Sequence, residues 1–213
     1  MGPYHHCVFV CNSRQLLFVH VQKTGGTSVT RLLREAIPDG LVHGGPEQHV
    51  TLHRALRRTP GLAGYWTFGF VRNPWARMVS WWSRINDNQT RALAGSSGAT
   101  AWMQKTSFRR SVAALPDFDT FIAKAPDEWE LFRRPQVKWL TSRSRRADLV
   151  GRTETLTADV RAVFARYDLP LPDDLPQANL SNHTDYHDYY TNATRKRVGE
   201  IFALDIATFD YKF

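Results

Sequence analysis

The stretch Leu16–Ser28, L-L-F-V-H-V-Q-K-T-G-G-T-S, constrains the fold of this chain more than any other. Leu16-Leu17-Phe18-Val19, carried on through His20 and Val21, is a short apolar run rich in β-formers and predicts a buried strand. The run breaks at Lys23-Thr24-Gly25-Gly26-Thr27-Ser28. Beyond it Val29, Leu32, Leu33 and Ala36 recur at helical spacing, which predicts an amphipathic helix with Thr27 or Ser28 as its N-cap. A strand that enters a helix through a Gly-rich turn is an arrangement that binds phosphate. Backbone N–H groups and the positive end of the helix dipole converge there, and glycines let an anion approach the backbone. Lys23 adds a full charge, and Thr24, Thr27 and Ser28 add hydroxyls. The plain alternative is a Gly-Gly turn with an incidental lysine. The loop is not a Walker A motif, G-x-x-x-x-G-K-S/T, because Lys23 precedes the glycines.

A second stretch has the same design. Trp66–Val71, W-T-F-G-F-V, reads as another apolar strand, followed by Arg72-Asn73-Pro74 and a helix bearing Trp75, Met78, Val79 and Trp82. Pro74 suits the first helical turn, where it has no N–H to lose. Arg72 leaves the strand end, and Ser80 lies eight residues on, two helical turns along. An arginine and a serine so placed can hold one phosphate, the arginine through forked charge-assisted hydrogen bonds. A basic amphipathic helix accounts for Arg77 and Arg84, but not for the joint occurrence of both stretches.

At 213 residues the chain has room for one α/β domain with a sizeable core. Its net charge of +8 favours an anionic partner, without choosing among nucleotide, nucleic acid, acidic glycan and membrane surface. No run approaches the ~20 apolar residues of a membrane span. The first residues hold no signal-peptide core. A cytoplasmic protein without a transmembrane segment is expected. Cys7 and Cys11 read as thiols within one strand, unfavourably placed for a disulfide, and no metal site is expected. N-x-S/T sequons at Asn88, Asn179, Asn182 and Asn192 read as chance occurrences.

Between the two phosphate-type stretches lies a loop with His43, His49 and His53, leading into a helix over residues 50–58. Histidine titrates near neutrality and is the commonest proton acceptor. Residues 86–100 have the composition of a flexible loop, either a lid or a plain excursion. Short helices are expected over 102–110, 116–123 and 158–167, a strand over 148–152, and a final helix over 194–209. The basic run Arg143–Arg146 lacks the aromatic pattern that accompanies RNA binding, so nucleic acid is not an expected partner.

K-T-G-G-T-S after an apolar strand resembles the 5′-phosphosulfate loop of sulfotransferases that use 3′-phosphoadenosine 5′-phosphosulfate (PAPS). R-N-P-x-x-R-x-x-S, about fifty residues on, resembles their 3′-phosphate motif. Q-H-V-T-L-H-R-A-L is similar to the segment in which glycan sulfotransferases present a histidine to the acceptor. D-L-V-G-R-T-E-T-L resembles a late strand of the family. The tail, N-x-S-x-H from Asn179 to His183 and Asp205, Phe209, Tyr211 and Phe213, resembles the family's bacterial and glycan-directed members. The resemblance spans nearly the whole chain, implies a single domain over 1–213, and is strongest to the heparan- and chondroitin-type carbohydrate branch.

This resemblance implies a P-loop-like three-layer α/β fold, with a central parallel sheet flanked by helices. It implies PAPS as sulfuryl donor without a metal. Lys23, Thr24, Gly25, Gly26, Thr27, Ser28, Arg72 and Ser80 would hold the donor, with Arg152 near its nucleotide end. Lys23 would stabilise the leaving group, and His49 would act as base, with His43 and His53 in reserve. The acceptor would be a saccharide, a glycolipid or a small hydroxylated metabolite. Gln22 replaces a usual proline and Ala76 a common acidic residue. Two rivals remain: a P-loop-type nucleotide kinase, and a non-enzymatic basic module that binds glycan or nucleic acid.

Overall fold

The structure, a computed structural model, describes residues 8–43, 49–171 and 185–213. They fall into two compact units. Residues up to Arg72, with those from Gln136 to 171, form the first. Asn73–Pro135 and 185–213 form the second.

The first unit is built on five strands: β1 (Val8–Cys11), β2 (Leu16–Val19), β3 (Leu41–His43), β4 (Trp66–Val71) and β5 (Leu149–Arg152). Their order is β3-β1-β2-β4-β5. β2, β4 and β5 run parallel. β1 runs antiparallel to both β2 and β3, so the sheet is mixed where a parallel one was expected. The cause is the short link between β1 and β2, where the Gln15 N–H closes a turn on the Asn12 carbonyl. So short a link can join only antiparallel strands. β3 was expected as loop. Three residues are too few for a periodic signal, and main-chain pairing with β1 makes the strand.

Phe9, Phe18, Phe68 and Phe70 share one face of this sheet, because they sit in register or two residues apart. Against that face pack Val29, Leu32 and Leu33 of α1 (Gly26–Ala36), and Val160, Val163 and Phe164 of α8 (Leu156–Arg166). Apolar spacing predicts α1, and α8 falls on the helix expected over 158–167. Cys11 is a buried thiol beside the Ser13 hydroxyl. Cys7, Asn179, Ser181, Asn182 and His183 lie outside the described residues. A short helix, α2 (Leu52–Arg58), precedes β4.

The second unit is helical: α3 (Pro74–Leu93), α4 (Ser97–Gln104), α5 (Ser107–Ala113), α6 (Phe118–Glu128), α7 (Glu130–Arg133), α9 (Asn192–Ile201) and α10 (Ala203–Phe209). Its core gathers Met78, Val79, Trp82, Phe121, Phe132, Val198 and Phe202. Residues 86–100 are not a loop. α3 runs on to Leu93, and buried Asn88 donates its amide to the Arg84 carbonyl at 2.6 Å, which satisfies it inside the helix. The break comes only at Gly95, at φ +86°, and Ser96 then caps α4. Thr106 splits the expected 102–110 helix by capping α5. The final helix is two, parted at Phe202. Among the described residues no helix is long and apolar enough to cross a membrane.

Candidate active site

The loop after β2 has two residues in the left-handed region, Lys23 at φ 68° and Gly25 at φ 80°. Gly25 turns the chain straight into α1 and is itself the N-cap. Thr27 and Ser28, expected as caps, therefore lie inside the first turn. The Ser28 and Val29 N–H groups both return to the Gly25 carbonyl, at 3.0 and 3.3 Å. No side chain caps the helix, and its first turn carries no acidic residue. The first turn thus offers no anion of its own to the N–H groups that a helix start leaves unbonded. Lys23 and Ser28 are half-buried and Thr27 is exposed. Thr24 is buried, and its hydroxyl donates to the Val21 carbonyl at 2.8 Å, which braces the loop from within. Gln22 is buried too.

Arg72 follows β4, the parallel neighbour of β2, in the register Val19↔Gly69. Arg152 ends β5, opposite Val71. The Lys23–Ser28 loop, Arg72 and Arg152 therefore all leave the C-terminal edge of three adjacent parallel strands, where open α/β sheets bind ligands. Gln136, wholly buried, fixes Arg72. Its amide oxygen accepts the Arg72 N–H at 2.9 Å, and its amide nitrogen donates to the Arg72 carbonyl at 2.7 Å. Sequence reasoning missed Gln136, because one glutamine beside a proline carries no periodic or motif signal. Arg152 is exposed, and its N–H is held by the Asp159 carboxylate at 2.7 Å.

In the helical unit, Asn73 caps α3 by accepting from Trp75 N–H at 3.0 Å, and its amide donates to the Lys212 carbonyl at 2.7 Å. Pro74 takes the first helical position, as expected. Ser80 is buried in the second turn. Arg84 is exposed. Arg77 is not on a solvated face: it is fully buried, its guanidinium 5.8 Å from the Phe202 ring centroid.

His49 belongs to the sheet-bearing unit. Its ring meets that of buried His20 edge to face at 5.2 Å, and that of buried Trp139 at 6.1 Å. Its Nδ1 is buried. Thr51 caps α2 by accepting from the Arg54 N–H. The ring therefore stands just ahead of a fixed helix start. His53 is half-buried on α2, and His43 ends β3. In the basic run, Arg145 binds the Tyr65 carbonyl and Asp148 and so serves the structure. Among the described residues no group of three or more His, Cys, Asp or Glu side chains is placed to hold a metal.

No curated protein and no solved structure matches the chain significantly. A family model described as "Sulfotransferase family" matches residues 6–212, through both units. The chain therefore belongs to the sulfotransferase family.

Proposed function

We propose that this protein transfers a sulfuryl group from PAPS to a hydroxyl, or an amine, of a carbohydrate or other small acceptor by in-line displacement. The observation that carries the reading is the shared sheet edge: a Gly-turned helix start with Lys23, Arg72 just past the next parallel strand and Arg152 at the end of the one after. The loop N–H groups and Lys23 meet the charge that develops on the bridging oxygen as the bond from sulfur to the 5′-phosphate oxygen breaks. Arg72 holds the 3′-phosphate, with Ser80 as the second ligand that the R-N-P-x-x-R-x-x-S pattern implies. Thr24, Gly25, Gly26, Thr27 and Ser28 line the phosphosulfate, and Arg152 lies toward the nucleotide end.

The new bond joins sulfur to the acceptor oxygen or nitrogen, whose proton passes to His49. We read the chain as one sulfotransferase domain, because the family match runs through both units. The test is transfer from radiolabelled PAPS to desulfated heparan and chondroitin oligosaccharides, with simple sugars alongside. Labelled saccharide is expected from the wild type, with a loss of about 100- to 1000-fold in Lys23→Ala and of 100-fold or more in His49→Gln. No labelled product on any saccharide contradicts the carbohydrate acceptor, and wild-type rates in Lys23→Ala contradict the mechanism.

A further inference from the structure

The mechanism above leaves His20 idle, yet it is buried three residues ahead of Lys23. Its ring lies parallel to that of Phe18, with centroids 6.1 Å apart. On the loop side it fills the space in which a Cβ on Gly26 would stand, so any side chain there would overlap the imidazole. It also meets the His49 ring edge to face, and the Trp139 ring in turn meets that of His49. The two glycines of K-T-G-G therefore have separate causes. Gly25 supplies a left-handed turn, whereas Gly26 makes room for a ring.

We propose that His20 is a positioning residue. Its imidazole is the spacer that sets His49 at a fixed distance from the first turn of α1. The proposal rests on the reading of His49 as the base. One ring links the loop that would hold the departing phosphate to the group that would take the acceptor proton, and both belong to one compact unit. In-line transfer depends on that spacing, since a misplacement of about 1 Å can cost about 100-fold in rate.

Two measurements test this without a known acceptor. The first is a stability cycle. Gly26→Ala is expected to lower the Tm of the wild type, but to leave the Tm of His20→Ala level or higher, because the new methyl then refills space the ring has left. An equal penalty in both backgrounds overturns the packing claim. The second follows the His49 ring protons by NMR in the double variant His20→Ala/Gly26→Ala. They are expected to move toward free-histidine positions, while those of His53 stay in place. An unchanged His49 spectrum overturns the proposal. Once transfer is measurable, His20→Ala should lose about 10- to 100-fold in kcat, with affinity for 3′,5′-adenosine bisphosphate held within about threefold. Loss of that affinity instead of kcat would make His20 a donor-loop residue and overturn its role through His49. Failure of the underlying reading looks different: wild-type transfer by His49→Gln removes the base, whatever the His49 spectrum shows.

Discussion

At the scale of single residues, Lys23 sits where its chemistry and its backbone disagree. A lysine at φ 68° occupies a region that costs a non-glycine residue about 1–2 kcal/mol, and strain of this kind collects at functional positions. Lys23→Gly should therefore stabilise the protein by about 1 kcal/mol in denaturant titration while removing sulfuryl transfer. A destabilised, active Lys23→Gly would contradict both the loop geometry and the role of the ammonium. Tyr190 gives a pH prediction. Its hydroxyl donates to the Trp75 carbonyl at 2.9 Å, and burial, with Tyr186 nearby, pushes its pKa up from the ordinary value of about 10. The folded state thus favours the neutral phenol more strongly than the unfolded state does. The stability it contributes is complete below about pH 10 and declines as pH rises toward the higher folded-state value. Tyr190→Phe should flatten the loss of Tm above pH 10, and an unaltered alkaline limb would contradict that assignment.

At the scale of elements, R-N-P divides its labour. Arg72 follows β4, Asn73 caps α3 and ties it to the C-terminal segment, and Pro74 enters the helix. Asn73→Ala loses a cap worth about 1 kcal/mol and leaves the Lys212 carbonyl without its donor, a further 1 kcal/mol or more. A total loss of about 2–3 kcal/mol is expected in urea unfolding. A neutral Asn73→Ala would make the tie incidental. Much of this level was legible in the sequence. The apolar runs 16–19 and 66–71 are the strands β2 and β4, and helical spacing found α1 and most of α3. What failed has physical causes. Asn88 looked like loop composition because a side chain that bonds its own helix backbone is indistinguishable, in sequence, from one that breaks it. Cap preference points to a hydroxyl as the N-cap of α1, because the strongest cap residues are hydroxyl and amide bearers, whereas backbone conformation at Gly25 sets the start.

At the scale of the whole molecule, the family was legible from two short motifs and a tail, and the family match runs through both units. The supports were not. Gln136, held against Arg72 across 64 residues of chain, and Trp139, against His49, reach the candidate site only because the fold brings them there. The net charge of +8 suits a donor that carries several negative groups. Under the proposed function the sheet edge reads a 3′-phosphate, a group that ATP lacks. The direct measurement is metal-free calorimetry of 3′,5′-adenosine bisphosphate against ATP, on the wild type and on Arg72→Ala. Tight binding of the bisphosphate, weak binding of ATP and a loss of about 10- to 100-fold for the bisphosphate alone in Arg72→Ala are expected. Binding of neither nucleotide, or tighter binding of ATP with magnesium, would contradict PAPS as the donor.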